Sequence, residues 1–411
     1  MTEKIYYKFI QFALGTYEGK EFLDGSALNG FDWQRFYDFA KKQTLEGIIM
    51  EGISRLPKAV APKQGLLMNW FMMSQNISRQ NMMLNAATAE IYNKVKAAGY
   101  DCCILKGQAN AAMYANPATR TPGDVDMWVN ASREEIRQLA QTLAKENGRI
   151  DEESYNHIAL TTNGLSVELH YTPGFMANFT YNRRLQQWFR ESIDAQCRNM
   201  IALSDEAGEV AAPTAAFNAV YQLYHLYHHY FYEGVGLRQV VDYYYVILNF
   251  ELGVLNCRLR DEELKNCELE SQNSKLNNSK SAKPTIQNSK LKTQNSLKRL
   301  GLWHFAGAMM YVLHEVLGLP EEKMIAPMDK KRGEMLLNDI LCGGNFGHHD
   351  ERHAWGRDTY DGNGFKHGAL GHNLLRLHRD LRLLRYYPSE ALSEPVFRLW
   401  HYYWRWKIHQ L

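Results

Sequence analysis

A chain of 411 residues, 45% hydrophobic and 22% charged, is long enough for two or three ordinary domains and apolar enough to bury a core. That excludes a single small module and wholesale disorder. Its 47 Lys and Arg stand against 45 Asp and Glu, so a formal charge of +2 supplies no global field for a polyanion. DNA binding is therefore not expected, and any phosphate site must come from local clustering.

The opening, MTEKIYYKFIQFAL, has mixed charge and no small-residue cleavage site, so it does not read as a secretory signal. No stretch approaches the roughly 20 apolar residues of a membrane helix, and the most apolar run, Val240 to Phe250, is interrupted by Asp242. A cytoplasmic protein without a membrane partner is expected. Six scattered cysteines form no CxxC pair, so neither a disulfide framework nor a zinc knuckle is suggested.

Residues 1–100 read as a helical region. Its last helix carries Met83, Ala86, Ala87, Ile91, Val95 and Ala98 at helical spacing and stops at Gly99. From 101 to 204 the period changes: DCCILKG, DVDMWV, HIALTT and SVELHY are short, β-rich segments. Between the second and third, SREEIRQLAQTLAKENG has a capping box of Ser132 and Glu135 and should be a helix ending at Gly148. Asn163-Gly164 joins the last two strands as an antiparallel hairpin. The fold class is α+β, a small mixed sheet with extensive helical regions before and after it.

Residues 205–256 return to helix, rich in tyrosine and histidine. Residues 257–298 differ in kind: QNSKL occurs at 272–276 and 287–291, QNSL follows at 294–297, and aromatics are absent. Such a composition reads as a disordered low-complexity insertion. Residues 299–411 form a last helical region, broken by a loop containing His348, His349, Asp350 and His353.

The chemistry concentrates in the β-rich region. Residues two apart on a strand share a face, so DVDMWV aims Asp124 and Asp126 at one point. In SVELHY the same alternation puts Glu168 on a face with Ser166 and His170. If the strands are neighbours, the three carboxylates make a holder for Mg²⁺ or Mn²⁺. Upstream, DCCIL runs through Lys106, Gly107 and Gln108 into a helix-favouring stretch, a strand–turn–helix unit whose amides could cradle phosphate. Lys106 could add a point charge, and Arg120 a guanidinium fork.

The ordered set LKG, YANPATR, GDVDMWV and VELH resembles the nucleotidyltransferase superfamily of the polymerase-beta type, in particular its uncharacterised bacterial branch with an LKG…R…GDxD signature. The resemblance implies a glycine turn that holds the triphosphate of an NTP such as ATP, paired aspartates that bind magnesium, and a third acid on a later strand. Carried across, Lys106 and Gly107 match the turn, Asp124 and Asp126 the metal pair, and Glu168 the third acid. Gln108 stands where the superfamily commonly has serine. The implied reaction moves a nucleoside monophosphate onto a hydroxyl of a small molecule, a protein or an RNA end.

Two alternatives stand beside it. DxD could be the sugar-nucleotide metal site of a glycosyltransferase, which leaves LKG and VELH unused, or the chain could be a catalytically inactive nucleotide-binding or scaffold protein. His225, His228 and His229 in YHLYHHYFY lie at helical spacing and read as packed core residues rather than ligands. Arg376, Arg379, Arg382 and Arg385 read as a solvated face beside a leucine stripe, and WHYYWRWKIHQ as packed aromatic core.

Overall fold

The computed structural model describes residues 2–145, 148–255, 282–347, 359–360, 365–366 and 369–407. Helices α1 (Thr2–Leu14), α2 (Lys20–Leu23), α3 (Trp33–Gln43), α4 (Glu46–Ser54) and α5 (Gln64–Ala97) precede the sheet. Phe9, Phe22, Phe36 and Trp70 are buried completely and meet largely edge to face or tilted, the arrangement that ring quadrupoles favour.

The 34-residue α5 buries a stripe of Ile77, Asn81, Leu84, Thr88, Ile91 and Val95. That stripe is rotated from the one the apolar residues alone suggest, and Met83 is 67% exposed. Asn81 and Thr88 sit among the buried apolar residues, and Asn81 meets the loop that leads to Asp124. Asn81 Nδ2 donates to the carbonyl of Arg120 at 2.7 Å and of Ala118 at 3.3 Å, fixing the segment that leads to Asp124.

Strand β1 (Cys102–Ile104) is followed by the one-turn α6 (Gln108–Ala111), β2 (Val125–Val129), α7 (Arg133–Ala144), β3 (Gly148–Glu153), β4 (His157–Thr162) and β5 (Leu165–His170). The sheet order is β1-β2-β5-β4-β3, with β2 and β5 parallel and the other neighbours antiparallel. The architecture is thus the α+β class with a small mixed sheet. The capping box of Ser132 and Glu135 is present. Asn163 and Gly164 both take positive φ, 50° and 77°, which sets the right twist for a two-residue hairpin. Helix α7 ends at Ala144 rather than Gly148, and Gly148 opens β3 instead. GRIDEE lacks the β-branched alternation of a buried strand because it is an exposed edge, where charge discourages pairing with other chains.

After α8 (Phe179–Arg198) and a two-stranded ribbon of β6 (Met200–Ala202) and β7 (Glu209–Ala211) come α9 (Ala215–Tyr232) and α10 (Leu237–Leu248), both largely buried. Then follow α11 (Ala282–Arg299), α12 (Trp303–Leu317), α13 (Lys330–Gly343), α14 (Ala369–Leu383) and α15 (Pro388–Lys407), with the short pair β8 (Thr359–Tyr360) and β9 (Phe365–Lys366) between α13 and α14.

Much of the low-complexity stretch 257–298 lies outside the described residues, but 282–298 is helical rather than disordered. Thr293 and Leu297 are buried, and Gln294 Nε2 donates to the Ile325 carbonyl at 3.0 Å. A sparse apolar stripe suffices here because α9 and α12 cover it. Helix α14 also reverses the suggested orientation. Arg382 Nη1 lies 2.5 Å from Asp339 Oδ1 and Arg379 donates to the Phe231 carbonyl at 2.6 Å, while Leu374, Leu377 and Leu381 are exposed. Arginine's inward turn follows from buried acceptors that need a donor. Along α15, Trp400 and Trp404 pack edge to face on Tyr155, but Tyr403 and Trp406 face outward, so only one side of the terminal aromatic segment is packed. Among the described residues, no helix is long and apolar enough to cross a membrane.

Candidate functional site

The site begins where β1 ends. The Leu105 amide donates to the Asp126 carbonyl at 2.9 Å, holding the turn against β2. Gly107 has φ 62° and ψ −118°, and a Cβ there would sit 3.2 Å from the Asp124 carbonyl oxygen. The positive φ favours glycine, and a Cβ there would press on the Asp124 carbonyl. The amides of Ala109, Asn110 and Ala111 bond back to the carbonyls of Lys106 and Gly107. The backbone donors left to the turn are the amides of Lys106, Gly107 and Gln108. The Gln108 side chain is turned away from the cavity: it is buried, and its Nε2 donates to Asn85 Oδ1 and, at 3.4 Å, to Asn81 Oδ1. It ties the turn to α5 and does not face a ligand.

Parallel pairing of β2 with β5 sets Asp126 directly beside Glu168. One carboxylate oxygen each from Asp124, Asp126 and Glu168 lies within 4.8 Å of the others. Asp124, just ahead of β2, is the most open of the three, and Asp126 is 1% exposed. These acids, Lys106, Gly107 and Arg120 line one cavity of about 330 Å³. The donor set, all carboxylate oxygen, fits a hard divalent ion such as Mg²⁺ or Mn²⁺.

Cations already balance the acids. Lys106 Nζ is 2.9 Å from Asp126 Oδ1, and His170 Nε2 is 3.1 Å from the same oxygen and 3.2 Å from Glu168 Oε2. Burial opposes the charge on His170, but its bonds to Asp126 and Glu168 outweigh burial and lift its pKa to about 9. Burial likewise opposes ionisation of Glu168, yet His170 holds it down at about 2. His157 goes the other way, to about 4, through burial and the neighbouring charge of His170.

The fork foreseen in Arg120 is engaged. Its Nε and Nη2 meet Asp242 Oδ1 and Oδ2 at 2.8 and 2.9 Å, and Tyr114 donates to the same Oδ1 at 2.6 Å. Arg120 Nη1 remains buried without a hydrogen-bond partner among the described residues, as does Arg238 Nε, and both arginines line the cavity. Orphaned guanidinium donors beside an acidic cluster fit an anionic ligand such as a triphosphate.

The histidines of α9 are packed and hydrogen-bonded as the sequence suggests, but they also border the cavity. His225 Nε2 is 3.1 Å from Lys106 Nζ, His229 Nε2 is 2.9 Å from His225 Nε2, and His229 Nδ1 is 2.8 Å from Glu233 Oε2. All line the cavity, so the chain from Glu233 to Lys106 forms part of its wall. Burial and then Lys106 depress His225 well below the usual histidine range, leaving a neutral ring able to accept from the ammonium. The signal available was the i, i+4 spacing of His225, His229 and Glu233. Arg238 and Asp242 come from GLRQVVDYYYVI, a helical stretch that resembles the LKG…R…GDxD branch but to which the sequence assigns no role. His348, His349, Asp350 and His353 lie outside the described residues.

Among curated proteins nothing matches the chain. A crystal structure of an antigenic nucleotidyltransferase-like protein from Paracoccidioides brasiliensis is similar at 15% identity, over 53% of this chain and 92% of that one, with a TM-score of 0.28. That likeness is too distant to argue from. The family described as uncharacterised nucleotidyltransferase matches residues 29–274, more than half of the chain, and so spans α3 to α10, every element that builds the cavity's acids, glycine turn and arginines. By that match the chain belongs to the uncharacterised nucleotidyltransferase family.

Proposed function

We propose that this protein transfers a nucleoside monophosphate from an NTP to an acceptor hydroxyl, with release of pyrophosphate, in a reaction that depends on Mg²⁺ or Mn²⁺. The observation that carries the reading is the meeting of three carboxylates with Lys106 and a positive-φ glycine turn at one cavity. Asp124, Asp126 and Glu168 would hold the ion, which when bound supplies charge neutralisation and acidifies the attacking hydroxyl. Lys106 would release its contact with Asp126 in favour of a phosphate oxygen. Arg120 Nη1 and Arg238 Nε would donate to the same anion without disturbing the Arg120–Asp242 pair. Glu168, ionised far below neutrality, serves better as a fixed acceptor that orients the incoming O–H than as a store for its proton.

On this reading residues 101–204 are the catalytic core and the helical regions 1–100, 205–256 and 299–411 are its frame. The frame is not passive, since α9 and α10 bring the histidine chain, Arg238 and Asp242 to the cavity. A cytoplasmic location suits a consumer of NTP. The test is to incubate the purified protein with each labelled NTP and Mg²⁺ together with fractionated extract, following pyrophosphate and acid-stable label. Metal-dependent label transfer that disappears in Asp124→Asn is expected; pyrophosphate release and label transfer absent with all NTPs and all fractions would refute the reading.

A further inference from the structure

Glu168 faces two ways, and its second side has a different chemistry. We propose that His157, Glu168 and His170 form a binding site for a borderline-soft transition-metal dication of the zinc class, whose occupation withdraws Glu168 from the carboxylate triad. The inference begins with the strands. His157 and His170 are direct cross-strand partners on β4 and β5, so both rings project from one face, and Glu168 shares it by alternation. His157 Nε2 lies 3.6 Å from Glu168 Oε1, His170 Nε2 lies 3.2 Å from Glu168 Oε2, and all three ligand atoms fall within 4.8 Å.

His170 is hydrogen-bonded to Asp126 and Glu168, so a metal would take the place of the proton its Nε2 shares with them. Four-coordinate zinc holds nitrogen and oxygen at ~2.0–2.1 Å, which puts neighbouring ligand atoms about 3.3 Å apart at the corners of a tetrahedron. The two imidazole nitrogens lie 3.6 and 3.2 Å from separate oxygens of the Glu168 carboxylate, so a small turn of that carboxylate would bring one oxygen near this distance from both. A contact of 3.6 Å is too long for a hydrogen bond, and His157 Nδ1 is buried without any partner among the described residues. His157 is therefore a half-buried ring whose Nδ1 has no partner among the described residues and whose Nε2 points at a carboxylate beyond hydrogen-bond reach. His170 is oriented from behind, its Nδ1 3.4 Å from Asn156 Nδ2, in the manner of outer residues that fix a ligating ring. Two imidazoles and one carboxylate select zinc over magnesium, whereas the three carboxylates of the triad have the opposite preference. A fourth position would open into the cavity, which all three residues line.

Binding does not depend on the transfer reaction; only the consequence for Glu168 rests on that reading. The full chain, stripped with a chelator, is titrated with Zn²⁺ and separately with Co²⁺, without nucleotide. One tightly bound zinc is expected, with the intense visible bands of four-coordinate cobalt. His157→Gln should lose both and Asp124→Asn should keep both. X-ray absorption on the zinc-loaded wild type should count two imidazoles, a readout that needs no variant to fold. No tight zinc in the wild type, undiminished binding in His157→Gln, loss in Asp124→Asn, or an all-oxygen shell would each overturn the site. Where Mg²⁺-dependent transfer is measurable, zinc should suppress it in the wild type. Zinc bound with turnover unaffected would overturn the competition for Glu168, whereas no turnover under any condition, with zinc bound as described, would count against the transfer reaction and not against this site.

Discussion

Replacing Asp242 by Asn tests whether the cavity wall is held by a buried ion pair. Arg120 and Asp242 are nearly inaccessible, with side-chain exposures of 3% and 10%, and two hydrogen bonds of 2.8 and 2.9 Å join them. Charge centres about 4 Å apart interact by about 4 kcal/mol at an effective dielectric near 20. Removing one partner of a buried pair typically costs about 3–5 kcal/mol, because the survivor is left charged and unsolvated. Asn keeps the shape and one acceptor, but its amide group faces Arg120 donor to donor, and Tyr114 competes for the remaining oxygen. Asp242→Asn should therefore lower the free energy of unfolding in urea by about 3–5 kcal/mol at neutral pH. The double variant Arg120→Met, Asp242→Leu should recover more than half of that, since an apolar pair of similar volume leaves no buried charge. A loss below about 1 kcal/mol in the single variant, the size of an exposed pair, would refute the buried-pair account.

Glu46, at the start of α4, is buried with Oε2 unpartnered among the described residues, and burial pushes its pKa up from 4.5 to about 7. Between those values the unfolded chain loses a proton that the folded chain keeps, so stability falls as pH rises and levels off above about 7, by about 3 kcal/mol in all. Glu46→Gln should flatten that part of the profile, and urea midpoints from pH 4 to 8 that keep the wild-type slope would contradict it. Leu297→Ala in α11 should cost about 2–5 kcal/mol, as for other fully buried leucines, and a silent substitution in thermal unfolding would return this segment to the disordered class. Glu168→Gln should keep most of the calorimetric NTP affinity while single-turnover transfer collapses, and near-wild-type transfer would remove Glu168 from the chemistry. Gly107→Ala should weaken NTP binding and lower stability by about 1 kcal/mol or more through the strained φ alone; an unchanged variant would show that the turn is free to relax.

The features legible in the sequence are those fixed over a few residues. Alternation along DVDMWV and SVELHY aims Asp124, Asp126 and Glu168, because the strand period is two whatever surrounds it. Asn163-Gly164 forces a hairpin, Ser132 and Glu135 start α7, and Gly107 marks a turn, since each depends on local backbone sterics and nearby hydrogen bonds. What the tertiary structure alone decided is which charges meet. Lys106 and His225 are 119 positions apart, and Arg120 and Asp242 are 122 apart. No periodicity says that Arg120 is claimed by α10, that the histidines of α9 border the acids, or that Asn81 and Thr88 lie on the inner face of α5. Nor could composition show that 282–298 is helical, for a stripe that sparse orders only when α9 and α12 offer it a surface. A local pattern tells a side chain which way to point, but its partner, and hence its charge state and its role, is set by segments distant in the chain that arrive at the same place.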